Sequence, residues 1–179
     1  MTLRRMILVA MAITIVFVQE QVLMIVPNVQ LTVALLVIYA RVFSLKENIT
    51  LIFVYVLLDS LYMGTLNPFY MTPMLIGWSL IPISLHIFLP KTNNEKTLAL
   101  FGLVFSFVYG WVFIPFHMIQ TGIHTWWPYL LADIPFQIVM GVSSYISILW
   151  VYQPLVRLIR QEMEKLEHQF KPIYHPHEK

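Results

Sequence analysis

The sequence predicts an all-α integral membrane protein: six transmembrane helices in one bundle, followed by a short amphipathic C-terminal helix. Three observations lead there. Hydrophobic residues make up 59% of the 179 residues and charged residues only 11%, with a mean hydropathy of +0.74, too few polar groups to cover a water-soluble globule. The apolar stretches are long and lack the two-residue alternation of a membrane barrel strand, so their backbone amides must be satisfied inside helices. The basic residues fall in short segments between alternate apolar runs, as topology-setting charges do.

Taken in order, the first span covers about residues 6–26 and ends at Pro27-Asn28. Arg4 and Arg5 ahead of it superficially resemble a signal peptide, but no small-residue cleavage site closes the run, which is read as an anchor helix. The second span, about 29–43, is short and leads into Ser44-Leu45-Lys46-Glu47-Asn48. A third covers about 49–63, and Gly64 to Tyr70 form a turn-rich connection. The fourth, about 72–89, contains Pro82; Pro90 to Lys96 make a polar loop; the fifth covers about 97–120 and the sixth about 127–152. Prolines inside the last two are tolerable where neighbours satisfy the freed carbonyls. After Pro154, Leu155, Leu158, Ile159, Met163, Leu166 and Phe170 recur at helical spacing between charged residues, an amphipathic helix that either extends the sixth span along the inner membrane surface or docks on a partner. Residues 1–154 are thus expected to form the transmembrane domain and 155–179 a cytoplasmic helix and tail.

Arg4 and Arg5 precede the first span, Arg41 and Lys46 separate the second from the third, Lys91 and Lys96 separate the fourth from the fifth, and the rest follow the sixth. Six spans with every basic residue on one side place both termini in the cytoplasm of a cell-membrane protein. A net charge of +2 so distributed serves topology, and nucleic acid is set aside as a partner. Without cysteine there is no disulfide framework and no thiolate metal site. His168, His175 and His177 read as part of a polar tail, and neither metal nor cofactor is expected.

Only three carboxylates fall inside the spans: Glu20, Asp59 and Asp133. Counting ~1.5 Å per helical residue from the outer span ends puts all three roughly 7 to 11 Å below the outer surface. A charge at such depth costs about 3 kcal/mol or more, so each needs a partner, a water-filled cavity or a ligand. Trp78 falls at a similar depth, His117 lies near the outer end of the fifth span, and Asn28, Gln30, Asn67, His124 and Trp126 lie just above. The inner half is mostly aliphatic. This asymmetry suggests a pocket open to the outside. In it Trp78 and Trp126 would stack on a flat ligand, Glu20, Asp59 and Asp133 would accept hydrogen bonds or balance positive charge, and Asn28, Gln30, Asn67 and Gln137 would fix orientation, with His117 beside them.

Each candidate also has a plainer reading. Trp126, Trp127 and Tyr129 suit an aromatic belt at the lipid headgroups. Glu20, between Gln19 and Gln21, suits a polar helix end; Asp59 and Asp133 suit helix caps or a proton-sharing pair. Asn28 and Asn67, each beside a proline, suit turns whose backbone they satisfy, and His86 suits packing. The argument for a joint site is common depth on helices distant in sequence. No zinc-protease histidine-glutamate motif, glycine-flanked serine or glycine-rich phosphate loop is present, so the chain is read as no enzyme. If it moves a solute, the energy comes from another subunit or the movement is passive.

The segments Pro27-Asn28-Val29-Gln30-Leu31-Thr32, Tyr55-Val56-Leu57-Leu58-Asp59 with Gly64-Thr65-Leu66-Asn67-Pro68, Gly77-Trp78, and Ala132-Asp133-Ile134-Pro135-Phe136 resemble the substrate-binding S components of energy-coupling-factor (ECF) transporters, over most of the chain. The resemblance implies a six-helix protein that captures a vitamin or related micronutrient from outside. Its implied partners are one transmembrane coupling protein and two cytoplasmic ATPases, whose ATP hydrolysis topples the S component so that its pocket faces inward. Members often carry two alanines four apart on the first helix, where small side chains let it pack on the coupling protein. This chain has Ala10 and Thr14 at that spacing, so the expected docking face departs from the usual pair. The chain is also similar, through Leu58-Asp59 and Gly64, to small cell-shape membrane proteins related to MreD, which implies a structural scaffold without a substrate.

Overall fold

The computed structural model of the chain describes residues 3–26, 28–64, 66–122 and 124–168. They form six α-helices: α1 (Leu3–Leu23), α2 (Thr32–Val42), α3 (Leu45–Tyr62), α4 (Pro68–Phe88), α5 (Glu95–Thr121) and α6 (Trp127–His168). No strand occurs among the described residues. Four helices, α1, α4, α5 and α6, are long and apolar enough to cross a membrane. The other two fall short for different reasons. α3 has 18 residues, among them Lys46, Glu47 and Asp59. α2 has only 11, ~16 Å of helix, about half a hydrocarbon core. Every residue from Thr32 to Ala40 is buried, so α2 is enclosed by the other helices.

Caps move two helix starts ahead of the apolar runs. Ser44 Oγ accepts from the Glu47 amide at 3.4 Å while Glu47 Oε2 accepts from the Ser44 amide at 2.9 Å, a reciprocal box that satisfies two otherwise orphaned donors. Asn67 Oδ1 accepts from the Phe69 amide at 2.9 Å, with Pro68 in the first turn where a missing N–H costs nothing. α3 and α4 therefore begin at Leu45 and Pro68, earlier than the expected 49 and 72. Between α1 and α2, Asn28 adopts φ 61°, a left-handed conformation that asparagine tolerates better than most residues. α5 ends at Gly122, φ 70°.

α6 runs unbroken through Pro135 and Pro154 for 42 residues, ~63 Å and so about twice the hydrocarbon thickness. The amphipathic segment is the continuation of this helix. Val156 is buried and Leu155 and Ile159 pack on the core, while Leu158 faces outward. Phe170, His175 and His177, and the side chains of Leu166 and His168, for which the sequence predicts an amphipathic helix and polar tail, lie outside the described residues.

Polar contacts tie one end of the bundle together. Arg5 reaches Glu47 at 3.2 Å, Arg41 donates to the Leu89 carbonyl at 2.8 Å, and Tyr152 meets Asn93 at 3.4 Å. The start of α1, the end of α2, the start of α3 and the α4–α5 connection thus share this end. Glu20, Asp59 and Asp133 belong to the opposite half. At the polar end, burial acts to raise the Glu47 carboxyl, but hydrogen bonds from Ser44 and the Arg5 guanidinium outweigh it and hold Glu47 below its ordinary 4.5. A carboxylate held low in the folded state adds stability above its unfolded value and loses it as pH falls through the folded one. Thermal unfolding in detergent is therefore expected to show wild-type stability falling in acid, and Glu47→Gln losing this part of the slope. Ser44→Ala should cost about 1 kcal/mol through the cap alone.

Candidate functional site

Three consecutive polar residues near the end of α1 reach two neighbouring helices, α2 and α3. Gln19 donates to Thr32 Oγ1 at 2.7 Å and accepts from the Leu31 amide at 2.9 Å, so it fastens the start of α2. Glu20 accepts a hydrogen bond from the Tyr55 hydroxyl of α3. Gln21 donates its amide to Asp59 at 3.2 Å. On α6, one helical turn apart, Gln137 donates to the Asp133 carboxylate. Each embedded carboxylate therefore has a neutral donor as its partner.

Glu20, Gln21, Asp133 and Gln137 line a cavity of about 440 Å³ formed by α1, α4, α5, α6 and the α1–α2 connection. Part of its lining is aromatic. Tyr109 stacks on Trp78 with ring centroids 4.1 Å apart, Phe113 follows Tyr109 at 5.1 Å, and Tyr70 meets Phe113 at 6.0 Å. Phe101, Phe105, Tyr109 and Phe113 recur every four residues and so share one face of α5. Two glycines make room for this construction. A Cβ on Gly77 would lie 2.7 Å from the Tyr109 ring, and one on Gly110 would collide with the Gln137 amide and the Asp133 carboxylate. Trp78 Nε1, Gln21 Oε1 and Gln137 Oε1 are buried without a hydrogen-bond partner among the described residues, which is costly unless something else meets them.

Of the residues singled out from sequence, Glu20, Asn28, Gln30, Trp78, Asp133 and Gln137 line this one cavity. Asp59 does not line it. It is buried, reached through Gln21. His117 lies edge-on to Tyr129 at 4.9 Å and lines a second cavity of about 280 Å³, which shares Gly110, Phe113, Asp133 and Phe136 with the first. Asn67 caps α4 and lines neither cavity, since its side chain is engaged by the Phe69 amide. Trp126 also lines neither. It is 52% exposed and edge-on to Trp127, so its reach is outward. On α1, Ala10 and Thr14 are both exposed, and the Thr14 hydroxyl donates to the Ala10 carbonyl at 3.0 Å, leaving its methyl as the outward group. Tyr55, Gln21, Tyr70, Tyr109 and Phe113 belong to the site without having been picked from sequence.

No protein-family model matches the chain, and no curated protein or solved structure matches it either. The chemistry of the cavity therefore stands on its own residues. It offers fixed hydrogen-bonding groups and flat walls, a combination suited to holding a small molecule.

Proposed function

We propose that this chain is the substrate-capture (S) subunit of an ECF-type importer for a vitamin or related micronutrient. In this reading it is a multi-pass protein of the cell membrane with six spans and both termini in the cytoplasm. It is not itself an enzyme; a transmembrane coupling protein and two cytoplasmic ATPases supply the energy. The observation behind the proposal is the 440 Å³ cavity, lined together by polar side chains from α1 and α6 and aromatic rings from α4 and α5. Its location supports the orientation, because it lies at the end of the bundle remote from Arg5, Arg41 and the α4–α5 connection. Ala10 and Thr14, on the outward face of α1, are the proposed contact with the coupling protein.

A capture protein is stabilised by its ligand through mass action, by about 2.7 kcal/mol at a hundred times Kd. Native mass spectrometry of protein extracted from cells grown in rich medium is expected to show a retained small molecule, and gentle extraction to recover the chain with two ATPases. A chain with neither a retained molecule nor ATPases, and with no thermal response to small molecules, would instead behave as the scaffold expected from the MreD resemblance.

A further inference from the structure

Resting on that reading, we infer that the cavity is built for a flat organic cation carrying N–H donors. Three features of its wall point the same way. First, charge: Glu20 and Asp133 line it, Asp59 stands behind Gln21, and none of the described lining residues is Lys, Arg or His. Carboxylates taken out of water need a compensating positive charge or a full set of donors. Among the described residues Glu20 and Asp133 each receive one neutral donor, from Tyr55 and Gln137 respectively.

Second, the two glutamines are polarised. Gln21 turns its NH₂ to Asp59 and Gln137 turns its NH₂ to Asp133, and an amide with its nitrogen so engaged has its orientation fixed by the network. What each leaves over is the carbonyl oxygen, and both oxygens are buried and unpartnered among the described residues. The carboxylates thus impose acceptor character on the glutamines beside them. Against these acceptors stand Trp78 Nε1, the buried unpartnered donor among the described lining residues, and the side chains of Asn28, Gln30, Tyr70 and Tyr109, which can donate or accept. A complementary ligand is rich in donors and has at least one acceptor, the hydrogen-bonding pattern of an amino-substituted, positively charged nitrogen heterocycle.

Third, the rings of Trp78, Tyr109 and Phe113, packed in series, line the same cavity as the carboxylates. Aromatic faces accommodate flat rings and attract cations through their quadrupole. A flat cation satisfies the carboxylates and the rings at once; a flat anion would meet two carboxylates and the negative faces of the rings.

The test uses the full chain in detergent and, as probe, the small-molecule filtrate of yeast extract separated by ion exchange at neutral pH into cationic, uncharged and anionic fractions. The cationic fraction alone is expected to raise Tm, in proportion to its concentration. The double variant Glu20→Gln with Asp133→Asn should lose that response, while Glu47→Gln, remote from the cavity, keeps it. A rise produced by the anionic or uncharged fraction, with none from the cationic one, overturns the cation assignment and leaves solute capture standing. No rise with any fraction overturns both. The wild-type fractions decide these outcomes even if the double variant fails to fold.

Discussion

Gly110→Val is expected to abolish the thermal response to solute and to lower the stability of the unliganded chain by about 1 to 3 kcal/mol, the usual range for overpacking a filled interior. The reason is local. Gly110 sits on α5 where the Asp133–Gln137 pair of α6 crosses it, and a Cβ there would meet both polar groups. Neither can retreat freely, because they are hydrogen-bonded to each other. Moving them takes an acceptor and a carboxylate out of the cavity wall at once. Gly102→Ala is the control. Its Cβ would lie 2.5 Å from Ile148 Cδ1, the tip of a flexible side chain, and Gly102 does not line the cavity. It should cost some stability and leave the solute response intact. If Gly110→Val responds like wild type, the Asp133–Gln137 pair is a packing feature of the α5–α6 contact and not part of a binding wall.

How much of this was legible in the sequence depends on which coordinate is asked for. Helix number and order follow from the apolar runs, and position along each helix follows from counting, which is why Glu20, Trp78, Asp133 and Gln137 meet in one cavity. Rotation about the helix axis does not follow. A membrane helix that is apolar on most sides gives no strong amphipathic stripe to orient it; Asn67 and Trp126 miss the cavity for another reason, since both precede a helix, Asn67 spending its side chain on the α4 cap and Trp126 reaching outward. The aromatic wall escapes for a related reason: Tyr109 and Phe113 look like generic apolar residues until α4 is placed beside them. Their four-residue spacing, and the glycines Gly77 and Gly110 that face them or neighbour them in sequence, were the available signals. The early starts of α3 and α4 were readable too, from Ser44 with Glu47 and from Asn67-Pro68, since capping chemistry is local. The burial of α2 on all sides was not, because a helix enclosed by protein and one enclosed by lipid have similar composition.

Trp78 tests whether the aromatic wall binds or merely fills. Its side chain is 1% exposed and stacked on Tyr109, so Trp78→Ala should cost about 3 to 5 kcal/mol whatever its role. That loss alone decides nothing. Trp78→Phe is the discriminating variant: it keeps a ring against Tyr109 and removes the unpartnered Nε1–H. If the indole donates to a bound solute, the variant should fold with a modest loss and bind about tenfold more weakly, the effect of one hydrogen bond of about 1.4 kcal/mol. A solute response equal to wild type would mean the donor is not used. Gly77→Ala approaches the same wall from behind, because the new methyl would press on the Tyr109 ring at 2.7 Å without touching Trp78 chemically. Displacement of Tyr109 should weaken solute binding more than it lowers unliganded stability, since a shifted ring can find other packing while a flat ligand loses the face it lies on.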